Sequence, residues 1–551
     1  MRAFASLALV LAAAACSSAT NGGSGGSAEP LVLTVDTPTR GTTVDGTSVT
    51  VSGHATGGHG ALTVTVAGQA TPVGADGSFS AATTVTDGID IVETHAKDSE
   101  GADVRDVRAV LAGTLAATDG THAAPMATHA SPSALTAIGN AMAGDAAKVD
   151  YTSVAEGLNP IYDNGGCLGA TVNITNVSLS GVDVGLAPKA GALTTNVTIH
   201  DVSVQLHASF KVACIGGSGT ITVTSSAAHI SGDLGVDVSS GKLETALPSS
   251  SVTLDNFNVS VSGIPSEVTG LFNGIIKGKV QTALANAIQS KVPSIANGEL
   301  AGLLTKPFDE SVLGADVSLG VTPTAATIDS SGVYVAVDTT INVASGSGGV
   351  FLTEATQDAS AALASSPDLG VAIANDVVNQ LLGGLWAANA FDMTVQLSSI
   401  PGAGALLDPN ATQLAVSMSL PPTAATDPSG NLNLAVGDAI LSVQDASGNE
   451  LQRIALSVQT GMSISATANN KLAMTLGNPT VYAQVLVQSQ DTAPLADSEL
   501  ESIVKGVWST VGQQASTALA KLPMPAIAGV QLGEPTVSST ANYVVADIPL
   551  Q

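Results

Sequence analysis

Hydrophobic and polar residues alternate along most of this chain, a pattern that is typical of β-strands with one buried face. From residue 31 to about residue 113 the alternating runs are short, and turn residues such as Ala75-Asp76-Gly77-Ser78 separate them. About seven strands in roughly 80 residues predict a β-sandwich. Residues 114–130 are rich in Thr, Ala, His and Pro, so we expect a linker in which His122 and His129 are solvated.

Beyond residue 130 the pattern changes to long alternating strands that lie between helices. Ser131-Pro132 predicts the start of a helix, with Ser as the N-cap and Pro in the first turn. The alternation from Val202 to Cys214 predicts a long strand with one apolar face. From about Ser266 a second helix carries apolar residues at spacings of three and four, and Pro293 is expected to end it.

The same plan recurs in the second half of the chain. Ser366-Pro367 predicts the start of another helix, Ser498-Glu499 predicts the start of a last one, and alternating strands lie between them. These positions follow Ser131-Pro132 and Ser266-Glu267 by 235 and 232 residues, respectively. Two similar offsets on equivalent elements favour an internal duplication.

The first residues have the features of a secretion signal. One positive charge, on Arg2, precedes an apolar run that is too short to span a bilayer. Ala13-Ala14-Ala15-Cys16 resembles the lipobox of bacterial lipoproteins, in which the cysteine is acylated, although Ala13 stands where Leu is usual. We expect lipidation of Cys16, with Ser17 directing the protein to an outer membrane; simple cleavage is the alternative. Residues 17–30 would then form a flexible tether.

Composition and charge exclude several classes of function. The 45 acidic and 17 basic residues give a net charge of −28, which argues against a nucleic-acid partner and against adhesion to anionic lipid by charge. The sequence has no P-loop, no zinc-protease helix and no nucleophile elbow at a strand-to-helix turn, so we expect no enzyme, no cofactor and no metal site. Cys167 and Cys214 remain as a pair, for which we expect a disulfide, with two buried thiols as the alternative.

Two passages resemble the tubular lipid-binding family that includes the bactericidal/permeability-increasing protein. Residues 375–386 (Asn-Asp-Val-Val-Asn-Gln-Leu-Leu-Gly-Gly-Leu-Trp) are similar to the helix that opens the family's second barrel, and residues 522–547 resemble its closing segment. The cysteine pair falls where the family's first barrel has its disulfide. Separately, the segment from Gly77 to Asp98 resembles the bacterial Ig-like modules that serve as spacers on surface proteins.

The resemblance implies an α+β fold: two elongated barrels, each a twisted antiparallel sheet around a long helix, joined by a central sheet and preceded by the Ig-like β-sandwich. The implied boundaries are a signal peptide at 1–16, the tether at 17–30, the sandwich at 31–113, the linker at 114–130, and barrels at 131–325 and 326–551. It also implies apolar pockets for acyl chains. The candidate lining residues are Ile138, Met142, Leu271, Phe272, Ile275, Ile276, Val377, Leu381, Leu382, Trp386, Val507 and Trp508.

The expected function is that of a lipoprotein, anchored in a bacterial cell envelope, which binds or shuttles phospholipid or another acyl lipid; the Ig-like domain could have a surface partner of its own. Antibacterial members of the family use a cationic barrel tip to bind lipopolysaccharide. In this acidic chain the only local basic concentration is Lys277, Lys279, Lys291 and Lys306, so that activity is not carried over. The alternative function is a surface adhesion or scaffold protein whose barrels are filled by their own side chains.

Overall fold

The computed structural model describes most of the chain from residue 29 onwards. The described residues are 29–272, 275–302, 304, 308–354, 359–364, 366–399, 407–427, 431–467, 471–489, 496–501, 504–505, 533–540 and 542–550. Cys16 and most of the proposed tether lie outside these ranges, as do Val507 and Trp508.

The predicted β-sandwich is confirmed. Its strands are β1 (Val32–Thr37), β2 (Thr42–Asp45), β3 (Ser48–Thr56), β4 (Thr63–Val66), β5 (Gln69–Thr71), β6 (Ser78–Thr84), β7 (Gly88–Lys97) and β8 (Asp103–Ala117). One sheet has the order β1-β3-β6 and the other β2-β8-β7-β4-β5. Val35 and Val51 from the first sheet meet Val64 and Val110 from the second in one buried cluster, as alternation on two facing sheets requires.

The expectation of a linker at 114–130 is wrong. β8 runs through Ala117, and β9 (Thr121–Ala130) lies in the middle of a seven-stranded central sheet. Met126 and Ala130 are buried on one face of β9, whereas Ala127 and His129 are buried on the other. Small side chains such as Ala and Thr had suggested a linker, but they also fit a strand that is covered on both faces. His129 is buried rather than solvated.

The first curled sheet follows β9. Its elements are α1 (Pro132–Ala146), α2 (Tyr151–Glu156), β10 (Tyr162–Asn164), β11 (Leu168–Ser178), β12 (Gly181–Lys189), β13 (Ala192–Val212), β14 (Ile215–Ser239), β15 (Lys242–Ala246), β16 (Ser250–Asp255), β17 (Asn258–Ser262), α3 (Ser266–Phe272) and α4 (Ile275–Ala301). As predicted, Ser131 is the N-cap of α1 and accepts a hydrogen bond from the N–H of Ala134. The main path of the sheet is β10-β11-β13-β14-β15.

The expected disulfide is present between Cys167 and Cys214. It joins the residue before β11 to the turn between β13 and β14, and the N–H of Cys214 also donates to the Cys167 carbonyl at 3.1 Å. The bond therefore fastens three neighbouring strands at one end of the first curled sheet.

Pro293 does not end the helix, as the sequence had suggested, because α4 continues through it to Ala301. Val292, Ala296 and Leu300, on either side of the proline, are buried in the same hydrophobic cluster. Thr245 helps to hold this part of the helix: its hydroxyl donates to the Pro293 carbonyl at 2.9 Å. Burial of the flanking turns offsets the one backbone hydrogen bond that the proline removes.

The central sheet joins the two halves of the chain. Its strands are β18 (Phe308–Val312), β19 (Ala315–Asp329), β20 (Gly332–Val343), β22 (Leu369–Ala374), β30 (Thr536–Thr540) and β31 (Tyr543–Ile548), together with β9, in the order β18-β19-β20-β9-β22-β31-β30. β9 and β22 are antiparallel neighbours, and each is followed closely by a helix.

The second curled sheet is built from the second half. Its strands are β23 (Met393–Gln396), β24 (Gln413–Met418), β25 (Thr423–Thr426), β26 (Leu432–Gln444), β27 (Glu450–Thr467), β28 (Lys471–Leu476) and β29 (Thr480–Val487), with the main path β23-β24-β26-β27-β28. The other elements here are β21 (Val350–Thr353), α5 (Ala359–Leu363), α6 (Asn375–Ala387) and a 3-10 turn at Leu397–Ser399; residues 497–501 are also helical.

Ser366-Pro367 does not start a helix, contrary to the prediction. Strand β22 follows it, and α6 begins at Asn375. The equivalent elements of the two halves are the pairs β9–α1 and β22–α6, so the matched dipeptides fall on different elements. Both halves therefore contain a central strand followed by a helix. The 235-residue offset between the two Ser-Pro dipeptides, however, does not superimpose these equivalent elements.

The Ig-like sandwich packs directly on the second curled sheet and is not a free spacer. Ile89, Ala109 and Leu111 of the sandwich share a buried cluster with Leu352 and Leu420. The contact also carries charge-assisted hydrogen bonds: Arg40 Nη1 donates to Asp438 Oδ1 at 2.5 Å, and Arg105 Nη2 donates to Glu501 Oε1 at 2.8 Å. These anchors hold the sandwich in one position on the body.

Candidate functional site

The first curled sheet and its helices share one large cluster of buried apolar side chains. The inward faces of α1 and α4 belong to one buried cluster together with the alternating residues of β11, β13 and β14. Leu135, Ile138 and Met142 come from α1, and Val280 and Leu284 come from α4. Spacings of three and four residues place each set on one side of its helix.

The six predicted pocket residues of the first half fall into three groups. Ile138, Met142 and Ile276 are 0%, 1% and 4% exposed and belong to the apolar cluster of the first half. Ile275, at the start of α4, is 41% exposed and lies on the outer side of its helix. Leu271 and Phe272 belong to α3 by their backbone, but their side chains are outside the described part of the structure.

The other four described candidates lie on α6 and are partly buried. Val377 packs against the apolar cluster of the first half. Leu381, Leu382 and Trp386 continue along the helix. The Trp386 indole N–H donates to the Met418 carbonyl at 2.8 Å, which fixes the ring against the second curled sheet.

The fully buried face of α6 is mainly polar, a feature that the sequence analysis missed. Beside Gly383, Gly384 and Leu385 it carries Asn375, Asp376, Asn379 and Gln380. The amide of Asn379 donates to the carbonyls of Leu352 and Ala424, and Gln380 donates to the carbonyls of Thr118 and Gly120. The helix therefore uses amide side chains to fix the backbone of its neighbours and leaves its apolar side only partly covered. The spacing of Asn375, Asn379 and Gln380 along one face was the signal that could have revealed this.

A titratable cluster lies at the start of α6. His122 Nε2 is 2.8 Å from Asp376 Oδ2, and Asp376 Oδ1 accepts from the N–H of Glu354 at 2.9 Å. Burial raises the pKa of Glu354 to about 7; a hydrogen bond from Asn375 opposes this rise, and the neighbouring Asp376 adds to it. At neutral pH the Glu354 carboxyl is therefore close to half protonated, which keeps the number of negative charges in the cluster low.

A cavity of about 720 Å³ lies where the Ig-like sandwich meets the second curled sheet. Its lining combines charged residues (Arg40, Asp392, Glu450 and Arg453) with apolar ones (Met393, Val416, Ile440 and Leu486). Arg40 is already bound to Asp438, and Arg453 to Glu450. An acyl chain placed against the charged residues would strip water from them without replacing their hydrogen bonds, so the charged part of the cavity does not suit a lipid.

Comparison with known proteins identifies a family match for the N-terminal domain only. Residues 31–114 match the family described as glucodextranase, domain B, which coincides with the Ig-like sandwich. No curated protein shows significant sequence similarity to the chain. Within the described ranges no helix combines the length and the hydropathy that a membrane crossing requires.

Solved structures similar to this chain share little sequence with it. A crystal structure of lipopolysaccharide binding protein has a TM-score of 0.40 at 15% identity, covering 78% of this chain and 99% of the other. P47 of Clostridium botulinum E1 has a TM-score of 0.27 at 11% identity, with coverage of 78% and 99%. Latherin has a TM-score of 0.19 at 18% identity, covering 30% of this chain and 82% of its own. Because these TM-scores and identities are low, the fold of this chain is described from its own strand order and packing.

Proposed function

We propose that this protein is a lipoprotein that binds or shuttles lipid acyl chains in apolar pockets between its helices and its curled sheets. The observation that carries the proposal is the orientation of α6. This helix buries amide side chains and leaves Val377, Leu381, Leu382 and Trp386 only partly covered among the described residues. A surface helix with water as its only outer neighbour would bury its apolar side and expose its amide side chains.

An acyl chain placed against that apolar side would remove it from water. Burial of one methylene stabilises by about 0.8 kcal/mol, so transfer of a sixteen-carbon chain out of water is worth on the order of 12 kcal/mol. No catalytic residue is required, because the protein would act by taking the acyl chain out of water, which lowers the free energy of that acyl chain. The first half would offer a second such interior, lined by Ile138, Met142 and Ile276.

Native mass spectrometry of protein purified without detergent tests this proposal. We expect one or more bound phospholipids or fatty acids, and lower occupancy in the Leu381→Asn and Leu382→Asn variants. Val487→Asn is the matched control, since Val487 is an exposed aliphatic residue (39%) on β29. A fully lipid-free protein would contradict the proposal and favour a scaffold with side-chain-filled barrels.

We further propose that acylated Cys16 anchors this body to the outer membrane of a bacterial envelope. The lipobox-like residues before Cys16 and the Gly- and Ser-rich segment after it support this part. Cell fractionation of a Cys16→Ser variant is expected to recover the protein in soluble form. Continued retention in the membrane fraction would contradict the anchor while leaving lipid binding untouched.

A further inference from the structure

One end of the first curled sheet carries an exposed aliphatic row. Leu168 begins β11, Val212 ends β13 and Ile215 begins β14, and the strand register pairs Leu168 with Val212 and Val212 with Ile215. Residues directly opposite each other in antiparallel strands project from the same face of a sheet. Leu168 is 51% exposed and Ile215 is 76% exposed, more than any other large hydrophobic residue in the described ranges. We call these three residues the apolar rim.

The apolar rim continues the buried face of the same three strands. Rows that lie two, four and six residues from the rim along each strand face the same way, because side chains alternate with a period of two. Their buried members all belong to the apolar cluster of the first half: Ala170 and Phe210, then Val172 and Ala208, then Ile174, Leu206 and Ile221. The rim is therefore the last row of one apolar face, about 7 Å beyond the last buried row.

Phe210 marks the border between the buried rows and the rim. Its side chain is 9% exposed, and the residue lies opposite Gly217 on β14. A Cβ atom at Gly217 would be 2.7 Å from two carbons of the Phe210 ring, so the ring lies over this glycine. Val212 still packs against the cluster, whereas Leu168 and Ile215 lie outside it, in water.

The chain holds the two exposed side chains in a fixed position. Only Ala213 and Cys214 connect β13 to β14, with φ of 50° and 65°, the sign that a type I′ hairpin requires at both central residues. The disulfide between Cys167 and Cys214 joins the residue before Leu168 to the residue before Ile215. A rigid apolar pair loses little conformational entropy when a partner covers it.

The strand ends at the rim carry no net charge. Within residues 163–168 and 211–218, which are exposed apart from Val212, the charged side chains are Asp163 and Lys211. Their charges cancel, whereas the whole chain has a net charge of −28. Within these two segments there is thus no excess negative charge to repel lipid headgroups.

We propose that the apolar rim docks on the surface of a lipid bilayer, with Leu168 and Ile215 inserted among the acyl chains. Two side chains beside a turn bury at most a few hundred Å², whereas a standard protein interface buries about 800 Å² on each partner. A bilayer requires no such area, because fluid hydrocarbon adapts to any apolar side chain and affinity grows with the apolar area inserted. A second copy of the chain is therefore the less suitable occupant.

Docking through the rim would bring the apolar cluster of the first half close to bilayer hydrocarbon. The row of Ala170 and Phe210 would lie about 7 Å from the inserted row. An acyl chain that followed this face would move between bilayer and protein with little exposure to water. This consequence rests on the proposed acyl binding, whereas the docking itself does not.

Co-sedimentation of the full-length Cys16→Ser protein with phosphatidylcholine vesicles tests the docking without an acyl anchor. We expect reversible binding that changes little with salt, because the contact is apolar. Ile215→Asn should weaken partitioning by roughly 10-fold or more, since burial of one aliphatic side chain shifts an equilibrium by about 10- to 100-fold. Leu168→Asn should have a smaller effect. The matched control is Val32→Asn, which alters a 47% exposed aliphatic residue on β1 of the sandwich and should leave partitioning unchanged.

Ile215→Trp gives a readout that increases on docking and does not depend on a loss of binding. Its fluorescence, taken as the difference from the parent protein, is expected to shift to shorter wavelength when vesicles are added. Phosphatidylcholine with a quencher on its acyl chain should quench it, whereas Val32→Trp should show neither change. A Trp at position 215 that stays in water while the protein binds vesicles would overturn the proposal.

Three other results would also overturn it. They are the absence of vesicle binding, equal partitioning of Ile215→Asn and its parent, and a concentration-dependent dimer that Ile215→Asn abolishes in sedimentation velocity. Native mass spectrometry keeps this proposal separate from the proposed function. Bound lipid without vesicle binding would overturn the docking alone, whereas vesicle binding by a lipid-free protein would support the docking and contradict the acyl pockets.

Discussion

The docking of the Ig-like sandwich depends on a buried ion pair whose removal has a calculable effect. The Asp438 side chain is 1% exposed, and it accepts from Arg40 Nη1 at 2.5 Å and from the N–H of Ala109 at 3.2 Å. Asp438 lies at a break in the register of β26 with a φ of 45°, a conformation that Asn also tolerates. Arg40→Met keeps much of the aliphatic stem and leaves this carboxylate without its cation.

Removal of one partner of a buried pair costs about 3–5 kcal/mol, whereas replacement of both partners is often close to neutral. We therefore expect Arg40→Met to lower the free energy of unfolding by about 3 kcal/mol at pH 7.5. In the Asp438→Asn background the same change should cost about 1 kcal/mol, because the uncompensated charge is already gone. Burial raises the pKa of Asp438, and Arg40 opposes this rise. Without Arg40 the pKa rises further, so acidification protonates the carboxyl and reduces the cost.

Urea denaturation of the four proteins in this double-mutant cycle, at pH 7.5 and at pH 5, measures the coupling. Hydrogen exchange at the Ala109 amide reports the docked contact directly. Arg453→Met is the control: its ion pair with Glu450 is partly exposed, at 47% for Arg453 and 26% for Glu450, so its loss should cost less than about 1 kcal/mol. An equal cost of Arg40→Met in both backgrounds, or a cost that grows on acidification, would refute the reasoning.

Three further predictions concern the body of the protein. Ile138→Ala should destabilise by about 2–5 kcal/mol because Ile138 is fully buried, whereas Ile275→Ala should cost about 0.5 kcal/mol or less; similar urea midpoints for the two would contradict the assigned burial. Because the pKa of Glu354 is raised from 4.5 to about 7, its stabilising contribution is complete below pH 4.5 and is lost as the pH rises through 7. The free energy of unfolding from pH 5 to 8 should therefore fall, relative to that of Glu354→Gln, by roughly 2 kcal/mol, since solvent screening of this part-exposed carboxyl reduces the full effect of the shift. Parallel profiles would exclude the raised pKa. Replacement of both Cys167 and Cys214 by Ser should cost about 4 kcal/mol in thermal unfolding, and an unchanged melting temperature would show that the bond contributes nothing.

Local rules explain why several elements were predictable. Strand alternation placed the sandwich at residues 31–113 and the buried face of Val202 to Phe210, because a period of two is fixed by the backbone of any strand. Ser131-Pro132 marked the start of α1, since the cap hydrogen bond needs only residues that are close in sequence. The cysteine pair was identifiable from composition. The arrangement of two curled sheets joined by a central sheet was expected from the resemblance noted in residues 375–386.

Other features depended on contacts between distant residues. β9 looked like a linker because Ala and Thr carry no strong pattern, and only pairing with β20 and β22 makes it a central strand. The helix across Pro293 is stabilised by burial against a sheet more than 40 residues earlier, and Arg40 finds Asp438 398 residues away.

The amino-acid sequence by itself determined the periodicities, the helix start at Ser131 and the available charges, because these depend on neighbouring residues. Only the tertiary structure decided which face of α6 is buried and that β9 is a central strand in which His129 is buried. Both outcomes are set by strand order and register, and these depend on contacts summed over the whole chain.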